Sequence, residues 1–306
     1  MPRLLHLDAS PRPGRAGTHD HGSHTRRLTH HFVTRWQTLE PDAEVVYRDI
    51  GVEPPQLTSV EWIEAAFTPA DSRSESMRAV LAESDTLAGE VEQADILVLG
   101  VPMYNFGPPA AFKAWIDNVI RLGRTVDYDP KYGHHPHLPL EYYLPLLADR
   151  LRHAVLLSSR GDHGFDPGGR LAELNHMEPS VRTALQFIGI AVFHSIAIEH
   201  QEEGGYALAA STQSALARID QLVEREHAAG NTSFAPRLAP GSTDRLGLLT
   251  RVSRGQRSLA GLDVLSVPGA RGTLGRYTRH GQVLFQDVPS GSARLINTLT
   301  GLQLGD

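Results

Sequence analysis

The sequence predicts a doubly wound α/β fold, in which a parallel sheet of five strands is covered by helices on both faces. Short apolar runs recur along the chain of 306 residues, and amphipathic stretches separate them. Strands that alternate with helices need crossover connections, which produce a parallel sheet. The predicted strands are Leu4–Asp8, Glu44–Arg48, Asp95–Val101, His153–Ser158 and Val192–Glu199. The predicted helices are His24–Leu39, Ser76–Gln93, Pro109–Leu122, Leu171–Phe187 and Ala209–Glu226.

The third and fourth predicted strands have the composition of strands that are buried on both faces. They contain Ile-Leu-Val-Leu and Ala-Val-Leu-Leu, without alternation of polar and apolar residues. Strands of parallel sheets show such continuous apolar runs because helices cover both of their faces.

Two segments interrupt the alternation of strands and helices. Asp129–Leu147 is rich in His, Pro and Tyr and is too long for an ordinary connection, so we expect a lid or an interface element. From Gly230 to Asp306 the chain has no Glu and no Lys but many Gly, Arg, Ser and Thr residues. We therefore predict a core domain over residues 1–228 and a poorly ordered or accessory tail over residues 229–306. Candidate strands at Leu262–Val267 and Gln282–Val288 leave a small β-hairpin domain as the alternative.

Composition excludes several classes of function. The net charge of −6 argues against a nucleic-acid partner, since such binding depends on basic patches. The absence of cysteine excludes disulfides, thiolate metal sites and a cysteine nucleophile. The apolar segment at the N-terminus is too short for a signal peptide, and no apolar run approaches the roughly 18 residues of a membrane span. We expect a cytoplasmic protein.

The first predicted strand is followed by hydroxyl residues at two places. Ser10 comes directly after the strand, and Ser23, His24 and Thr25 stand where the first helix begins. A helix N-terminus presents unpaired N–H groups and a partial positive charge, which suit a phosphate. The chain has no glycine-rich dinucleotide fingerprint, so a mononucleotide is favoured. The alternative is that these hydroxyls only cap the helix.

An aromatic loop follows the third predicted strand. Met103, Tyr104, Asn105 and Phe106 stand between that strand and a helix. Ligands of open parallel sheets bind beyond the carboxyl ends of the strands, and these residues offer ring surfaces and polar groups to a flat ligand such as a flavin. The alternative is an ordinary turn with buried aromatic residues.

The fourth predicted strand ends in another segment suited to ligand contact. Ser159, Arg160, Gly161 and Asp162 follow the strand, and His163 comes next. Glycine lets a ligand approach the backbone closely, whereas the alternative is a tight turn with a surface arginine. The coincidence of three such segments at one edge of one sheet carries the prediction of a binding site.

Taken together, these motifs resemble those of the FMN-dependent NADH:azoreductase and NAD(P)H quinone reductase family, which has a flavodoxin-like fold. The resemblance covers residues 1–226. The matching segments are Leu7–Ser10, Ser23–Thr25, Pro102–Phe106, Lys113–Asp117, Ser159–Gly161 and Phe187–Ile190. The part of this match that is specific to the family is the segment Pro-Met-Tyr-Asn-Phe followed by Lys-Ala-Trp-Ile-Asp.

The resemblance implies a homodimer with FMN near the subunit interface and assigns roles to the candidate residues. It implies that Ser10, Ser23, His24 and Thr25 hold the phosphate, and that Met103, Tyr104, Asn105 and Phe106 line the isoalloxazine ring. It places Ser159, Arg160, Gly161 and Asp162 beside another polar edge of the ring. The chain departs from the family in having Asp162 where a second glycine is common, in longer segments at Pro11–Gly22 and Asp129–Leu147, and in the tail.

The predicted function is transfer of hydride from NADH or NADPH, through FMN, to a quinone or azo compound in a ping-pong reaction. The alternatives are an FMN reductase that releases reduced flavin and a flavin-binding redox sensor without turnover. No catalytic side chain is required for hydride transfer, and His163 is a weak candidate for protonating the acceptor. We expect Arg26 and Arg27 to be solvated.

The sequence contains histidine groups but does not lead us to predict a metal. The groups are His19, His21 and His24, and His134, His135 and His137. Neither contains a helical i, i+4 pair, and a zinc site needs three or four converging ligands. A solvated loop or a rim around the flavin pocket is favoured for both groups.

Overall fold

A computed structural model describes residues 2–128 and 142–233 of the chain, without the side chains of residues 229–233. It also describes the backbone of five short strands from Val264 onwards. The strands of the first part are β1 Arg3–Asp8, β2 Glu44–Asp49, β3 Ile96–Pro102, β4 Val126–Tyr128, β5 Tyr143–Pro145, β6 His153–Ser159 and β7 Val192–Ile198. Its α-helices are α1 His24–Leu39, α2 Val60–Phe67, α3 Glu75–Gln93, α4 Ala110–Val119, α5 Met177–Ile188 and α6 Gly205–Ser233.

The central sheet has five parallel strands in the order β2-β1-β3-β6-β7. Every residue of β3 and β6 is buried, as the unbroken apolar runs predicted. One face of the sheet packs on α3, α4 and α5, and the other packs on α1 and α6. The predicted doubly wound fold with five strands is confirmed.

Local hydrogen bonds explain where the helices begin. Ser23, Ser59 and Ser74 each precede a helix, and their Oγ atoms accept a hydrogen bond from the N–H three residues later at 3.2 Å. This arrangement satisfies one of the N–H groups that a helix leaves without an internal partner. Gly189 ends α5 with φ of 105°, a left-handed conformation that glycine adopts without strain.

Three predicted helices differ from the structure by three residues or more at one end or both, and one of them, predicted as Ala209–Glu226, spans Gly205–Ser233. The predicted Leu171–Phe187 helix starts only at Met177, because the segment before it forms a 3₁₀ turn and Asn175 Oδ1 accepts from the Glu178 N–H at 3.2 Å. The helix predicted to end at Leu122 stops at Val119, where Thr125 Oγ1 donates to the carbonyl at 2.7 Å. The short helix α2 was not predicted.

The two segments that interrupt the alternation are described only in part. Residues 129–141 of the predicted insertion lie outside the described residues, and β4 and β5 on either side of them pair in antiparallel fashion. In the tail, β8 Val264–Gly269 and β9 Gly272–Thr278 form an antiparallel pair, which β10 Val283–Leu284 extends. β11 Leu295–Ile296 pairs with β12 Gln303–Leu304. Since α6 continues to Ser233, the boundary after residue 228 stays a prediction.

Within the described part of the chain, no helix is both long and apolar enough to cross a membrane.

The contact between β1 and β3 predicts which glycine of the fold tolerates a side chain. A Cβ on Gly100 would lie 2.4 Å from Asp8 Oδ1 and 2.7 Å from Thr29 Cγ2, whereas a Cβ on Gly89 in α3 would lie 3.7 Å from its nearest neighbour on Arg124. We expect Gly100→Ala to lower the free energy of unfolding by about 1–3 kcal/mol through overpacking. We expect Gly89→Ala to raise it by about 0.5–1 kcal/mol, because alanine favours the helix. Urea unfolding measures both, and equal shifts would contradict this description of the sheet.

Candidate functional site

Three loops meet at the carboxyl edge of the central sheet. They follow β1, β3 and β6, which are neighbours and run in the same direction. Backbone hydrogen bonds of 2.9 Å join the loops, from the Ala9 N–H to the Gly100 carbonyl and from the Met103 N–H to the Ser159 carbonyl. From β1 the chain crosses to β2 on one side of β1, and from β2 it crosses to β3 on the other side. The carboxyl edge at β1 is therefore the switch point at which such sheets bind ligands.

Hydroxyl and N–H groups converge where α1 begins. Ser10, Ser23 and Thr25 are buried, and the Ser23 and Thr25 hydroxyl oxygens lie 3.0 Å apart. The backbone N–H groups of His24 and Thr25 make no hydrogen bond to any of the described residues. Donors of this kind at a helix N-terminus suit an anion.

His24 adds an imidazole without a partner to this group. Its Nδ1 atom is buried and makes no hydrogen bond within the described residues. Burial lowers the pKa of His24, and the positive charges of Arg27 and Arg12 lower it further. An anion placed at this nitrogen would oppose both effects and supply the missing partner.

Arg26 is buried, so the expectation that it is solvated is wrong. Its guanidinium donates to the Ser10 carbonyl at 2.7 Å, to the Arg12 carbonyl at 2.9 Å and to both Asp49 carboxylate oxygens at 2.7 Å. Burial works against its charge, but the Asp49 hydrogen bonds and the nearby Asp8 carboxylate raise the pKa of Arg26 overall. Arg26 therefore fixes the loop after β1 instead of facing solvent.

The loop after β3 is a tight turn with unusual backbone angles. Tyr104 and Gly107 exchange two hydrogen bonds of 2.9 and 3.0 Å between their backbones. Between them, Asn105 has φ of 49° and Phe106 has φ of 67°. A left-handed phenylalanine is rare and strained, and such strain concentrates at functional sites.

The aromatic rings of this turn face outwards. Tyr104 is 39% exposed and Phe106 is 46% exposed, which contradicts the alternative of a turn with buried aromatic residues. Met103 is partly buried and packs on the hydrophobic core, and the Phe106 carbonyl accepts from the His176 N–H at 3.1 Å. The turn is thus anchored at its base while both rings remain accessible.

The loop after β6 is held by a buried arginine. The Arg160 side chain is 1% exposed and forms ion pairs of 2.7 Å with Asp166, 3.0 Å with Glu199 and 3.1 Å with Glu178. Its guanidinium is therefore held by carboxylates inside the protein, which contradicts the alternative of a surface arginine. A Cβ on Gly161 would meet the exposed Glu202 side chain, 2.4 Å from its Oε1 atom.

Asp162 is paired with a cation. Its carboxylate binds Arg170 and lies 2.9 Å from His163 Nδ1. The Arg170 hydrogen bond and the His163 N–H lower the pKa of Asp162. The His163 ring in turn stacks on His200, with ring centroids 4.3 Å apart. The negative charge that distinguishes this loop from the family pattern is thus offset locally.

Sequence reasoning missed four residues that shape the site. Tyr47 and Asp49 of β2 and Asp8 of β1 surround Arg26, and Arg170 neutralises Asp162. Asp8 and Asp49 each end a strand at the carboxyl edge, a repetition that the sequence does display.

The histidine clusters that the structure shows among the described residues differ from the two groups noted in the sequence. His134, His135 and His137 lie outside the described residues. The His19 ring accepts from the Arg15 N–H at 3.1 Å and so belongs to its own loop. In the described ranges, two other groups converge: His153 with His194 and Glu226, and His163 with His200 and Glu203.

Comparison with known proteins gives the chain a family. Residues 2–223 match a protein family with a flavodoxin-like fold. The chain is 37% identical over 225 residues to the FMN-dependent NADH:quinone oxidoreductase 2 of Colwellia psychrerythraea, covering 74% of this chain and 99% of that protein. It is 40% identical over 220 residues to the FMN-dependent NAD(P)H:quinone oxidoreductase 1 of Pseudomonas aeruginosa, covering 72% and 97%.

A solved structure shows the same fold. The azoreductase of Bacillus anthracis superimposes with a TM-score of 0.62 at 22% identity, covering 74% of this chain and all of that one. The family match ends at residue 223, before the tail, and spans the central sheet and its three loops. The chain therefore belongs to the flavodoxin-like fold family, as a relative of the FMN-dependent NADH:quinone oxidoreductases.

Proposed function

We propose that this chain is an FMN-dependent oxidoreductase that takes hydride from NADH or NADPH and passes two electrons to a quinone or azo compound. The observation that carries the proposal is the combination of two features at the carboxyl edge of the sheet. Backbone N–H groups at the start of α1 lack hydrogen-bond partners among the described residues, and an exposed, strained aromatic turn follows β3. The named relatives of this chain are FMN-dependent quinone oxidoreductases, which supports the same function.

The residues at the start of α1 fit the phosphate of FMN. Ser10, Ser23 and Thr25 supply hydroxyls, and His24 supplies a buried nitrogen that has no hydrogen-bond partner among the described residues. The free N–H groups of the first turn add backbone donors and the positive end of the helix dipole.

The turn after β3 fits the ring system. Tyr104 and Phe106 offer exposed aromatic faces, Asn105 offers an amide, and Met103 lies at the base against the core. FMN, when bound, supplies the redox chemistry, while the protein positions the reactants and sets the local charge. These residues hold a flat ligand at the sheet edge and exclude water from one side of it.

The loop after β6 contributes mainly through its backbone. Ser159 and Gly161 present main-chain groups beside the turn after β3, while Arg160 acts from inside as a positioning residue. Protonation of the reduced acceptor uses His163, Tyr104 or water. The sensor alternative rests on Asp162 and on the tail, and the pairing of Asp162 with Arg170 weakens the first of these arguments, because it offsets the charge that would disfavour an anionic reduced flavin.

The remaining parts of the proposal concern assembly and the tail. A homodimer is supported by the exposed aromatic residues Tyr104, Phe106 and Tyr128, since aromatic side chains are enriched at interfaces. The protein acts in the cytoplasm on a small-molecule acceptor. Residues 229–306 form an accessory tail that is not needed for binding FMN.

The visible spectrum and steady-state kinetics of the full-length chain test this function. We expect a yellow protein that oxidises NADH or NADPH with a small quinone, with parallel double-reciprocal lines. A requirement for free FMN as a turned-over substrate would identify an FMN reductase instead. A yellow protein without turnover would identify a sensor, and a protein that does not bind FMN would overturn the proposal. Light scattering of the same preparation measures the dimer.

A comparison of two serine caps with matching geometry distinguishes a role in cofactor binding from a role in helix capping. Ser23 caps α1 and Ser74 caps α3, and the Oγ atom of each accepts a hydrogen bond of 3.2 Å from the N–H three residues later. Each Oγ atom also contacts a second hydroxyl, at 3.0 Å for Ser23 and at 2.8 Å for Ser74. We expect both alanine variants to lose about 1 kcal/mol of unfolding free energy. Only Ser23→Ala should weaken FMN binding, by roughly 10–100-fold, because it removes a donor to a charged phosphate. FMN titration measures this, and equal affinities of the two variants would remove Ser23 from the site.

A double variant tests the aromatic turn without disturbing its backbone. Tyr104→Ala removes a ring, and Asn105→Gly removes the amide while keeping a residue that accepts φ of 49°. We expect FMN affinity to fall by the equivalent of about 1–3 kcal/mol, with unfolding unchanged. Tyr206→Ala, at a tyrosine that is 90% exposed, is the control. Affinity within twofold of the wild type would show that the turn does not contact the ring.

A further inference from the structure

We propose that His153, His194 and Glu226 form a binding site for a divalent transition metal of the zinc class, which fastens α6 to β6 and β7. The three ligand atoms lie within 4.8 Å of one another. The site is independent of the proposed cofactor site, because His153 begins β6 and Ser159 ends it. At about 3.3 Å per residue, the two ends of the strand lie roughly 20 Å apart.

All three side chains occupy positions that the fold otherwise gives to apolar residues. His153 precedes Val155 on the inward face of β6, and His194 precedes Ile196 on the same face of β7. Glu226 continues the buried stripe of α6 that contains Leu222 and Val223. Buried charges in such positions are costly unless they are paired or bind a metal.

The burial of these groups is nearly complete. The side chains of His153, His194 and Glu226 are 10%, 14% and 6% exposed. His153 Nδ1 and His194 Nε2 are buried, and within the described residues neither makes a hydrogen bond of acceptable geometry. Two imidazole nitrogens therefore face one buried carboxylate within ion-pair distance.

The distances suit ligands that share one ion. His153 Nδ1 lies 2.9 Å from one Glu226 oxygen, and His194 Nε2 lies 3.5 Å from the other. Two ligands of a tetrahedral zinc ion, bound at about 2.0–2.1 Å, are about 3.3 Å apart. Of the two observed nitrogen–oxygen separations, 2.9 Å is shorter than this value and 3.5 Å is longer. Two imidazoles and a carboxylate are also the ligand set that zinc accepts with a fourth position for water.

The neighbouring arginine supplies a way to change affinity without altering a ligand. Arg225 Nε lies 3.4 Å from Glu226 Oε1, and the Arg225 side chain is 45% exposed. Its positive charge competes with a cation for the carboxylate. Removing that charge should strengthen metal binding and leave the three ligands in place.

Cobalt, as a coloured substitute for zinc, tests the site in the full-length chain after chelator treatment and without an affinity tag. We expect one Co²⁺ per chain with the visible bands of a tetrahedral site, which Zn²⁺ abolishes. His194→Gln and Glu226→Gln should each weaken Co²⁺ binding by more than about 100-fold, since even outer-shell changes at metal sites cost 10–100-fold. Arg225→Gln should strengthen it several-fold. Zn²⁺ at about 100 times its dissociation constant should raise the melting temperature by roughly 5–10 °C.

His200→Gln is the matched control, because it alters the exposed group of His163, His200 and Glu203. It should leave the Co²⁺ bands intact. Loss of the bands in His200→Gln with retention in His194→Gln would overturn the proposal, as would the absence of tetrahedral bands in the wild type. Proton NMR of the Co²⁺-loaded wild type tests the ligands without relying on a variant that folds. Two shifted imidazole N–H signals support the site, and fewer than two overturn it.

Discussion

The hydrogen bonds of the buried Arg26 guanidinium are the interaction on which the candidate site depends. They join three parts of the chain: the loop after β1, the first turn of α1 and the end of β2. A buried guanidinium is stable only where its donors are satisfied, and here two carbonyls and the Asp49 carboxylate satisfy them. Because the Ser10 and Arg12 carbonyls are among these acceptors, the position of Arg26 sets the position of the loop that presents Ser10 to a ligand.

Arg160 has the same role at the other side of the site. Its side chain is enclosed by three carboxylates, from Asp166, Glu178 and Glu199, so it fixes the loop after β6 from within. In both loops the arginine is paired with carboxylates inside the protein. Because the charges of Arg26 and Arg160 are already balanced, the attraction for an anion at this edge comes from the N–H groups and hydroxyls at α1 and from the positive charges of Arg12 and Arg27, which act on His24.

The sequence was informative where structure depends on local pattern and uninformative where it depends on distant partners. The five strands of the central sheet, the start of α1 and the three loops follow from apolar runs and the residues that end them, and all were predicted within about two residues. The burial of Arg26 and Arg160 depends on Asp49 and Glu199, which lie 23 and 39 residues away in the chain. No periodicity links such residues. His153 and His194 were likewise predicted only as strand residues, since Glu226 meets them only after α6 packs on the sheet.

The strained turn after β3 explains how exposed aromatic rings can serve a binding site without being buried beforehand. The left-handed conformation of Phe106 costs about 1–3 kcal/mol, whereas asparagine adopts this conformation with less strain at position 105. Two backbone hydrogen bonds between Tyr104 and Gly107, together with the bond from His176 to the Phe106 carbonyl, hold the turn against this cost. The backbone that carries the two rings is thereby fixed before any ligand arrives. A flat ligand that stacks on the rings therefore does not have to order this backbone, which lowers the entropic cost of binding.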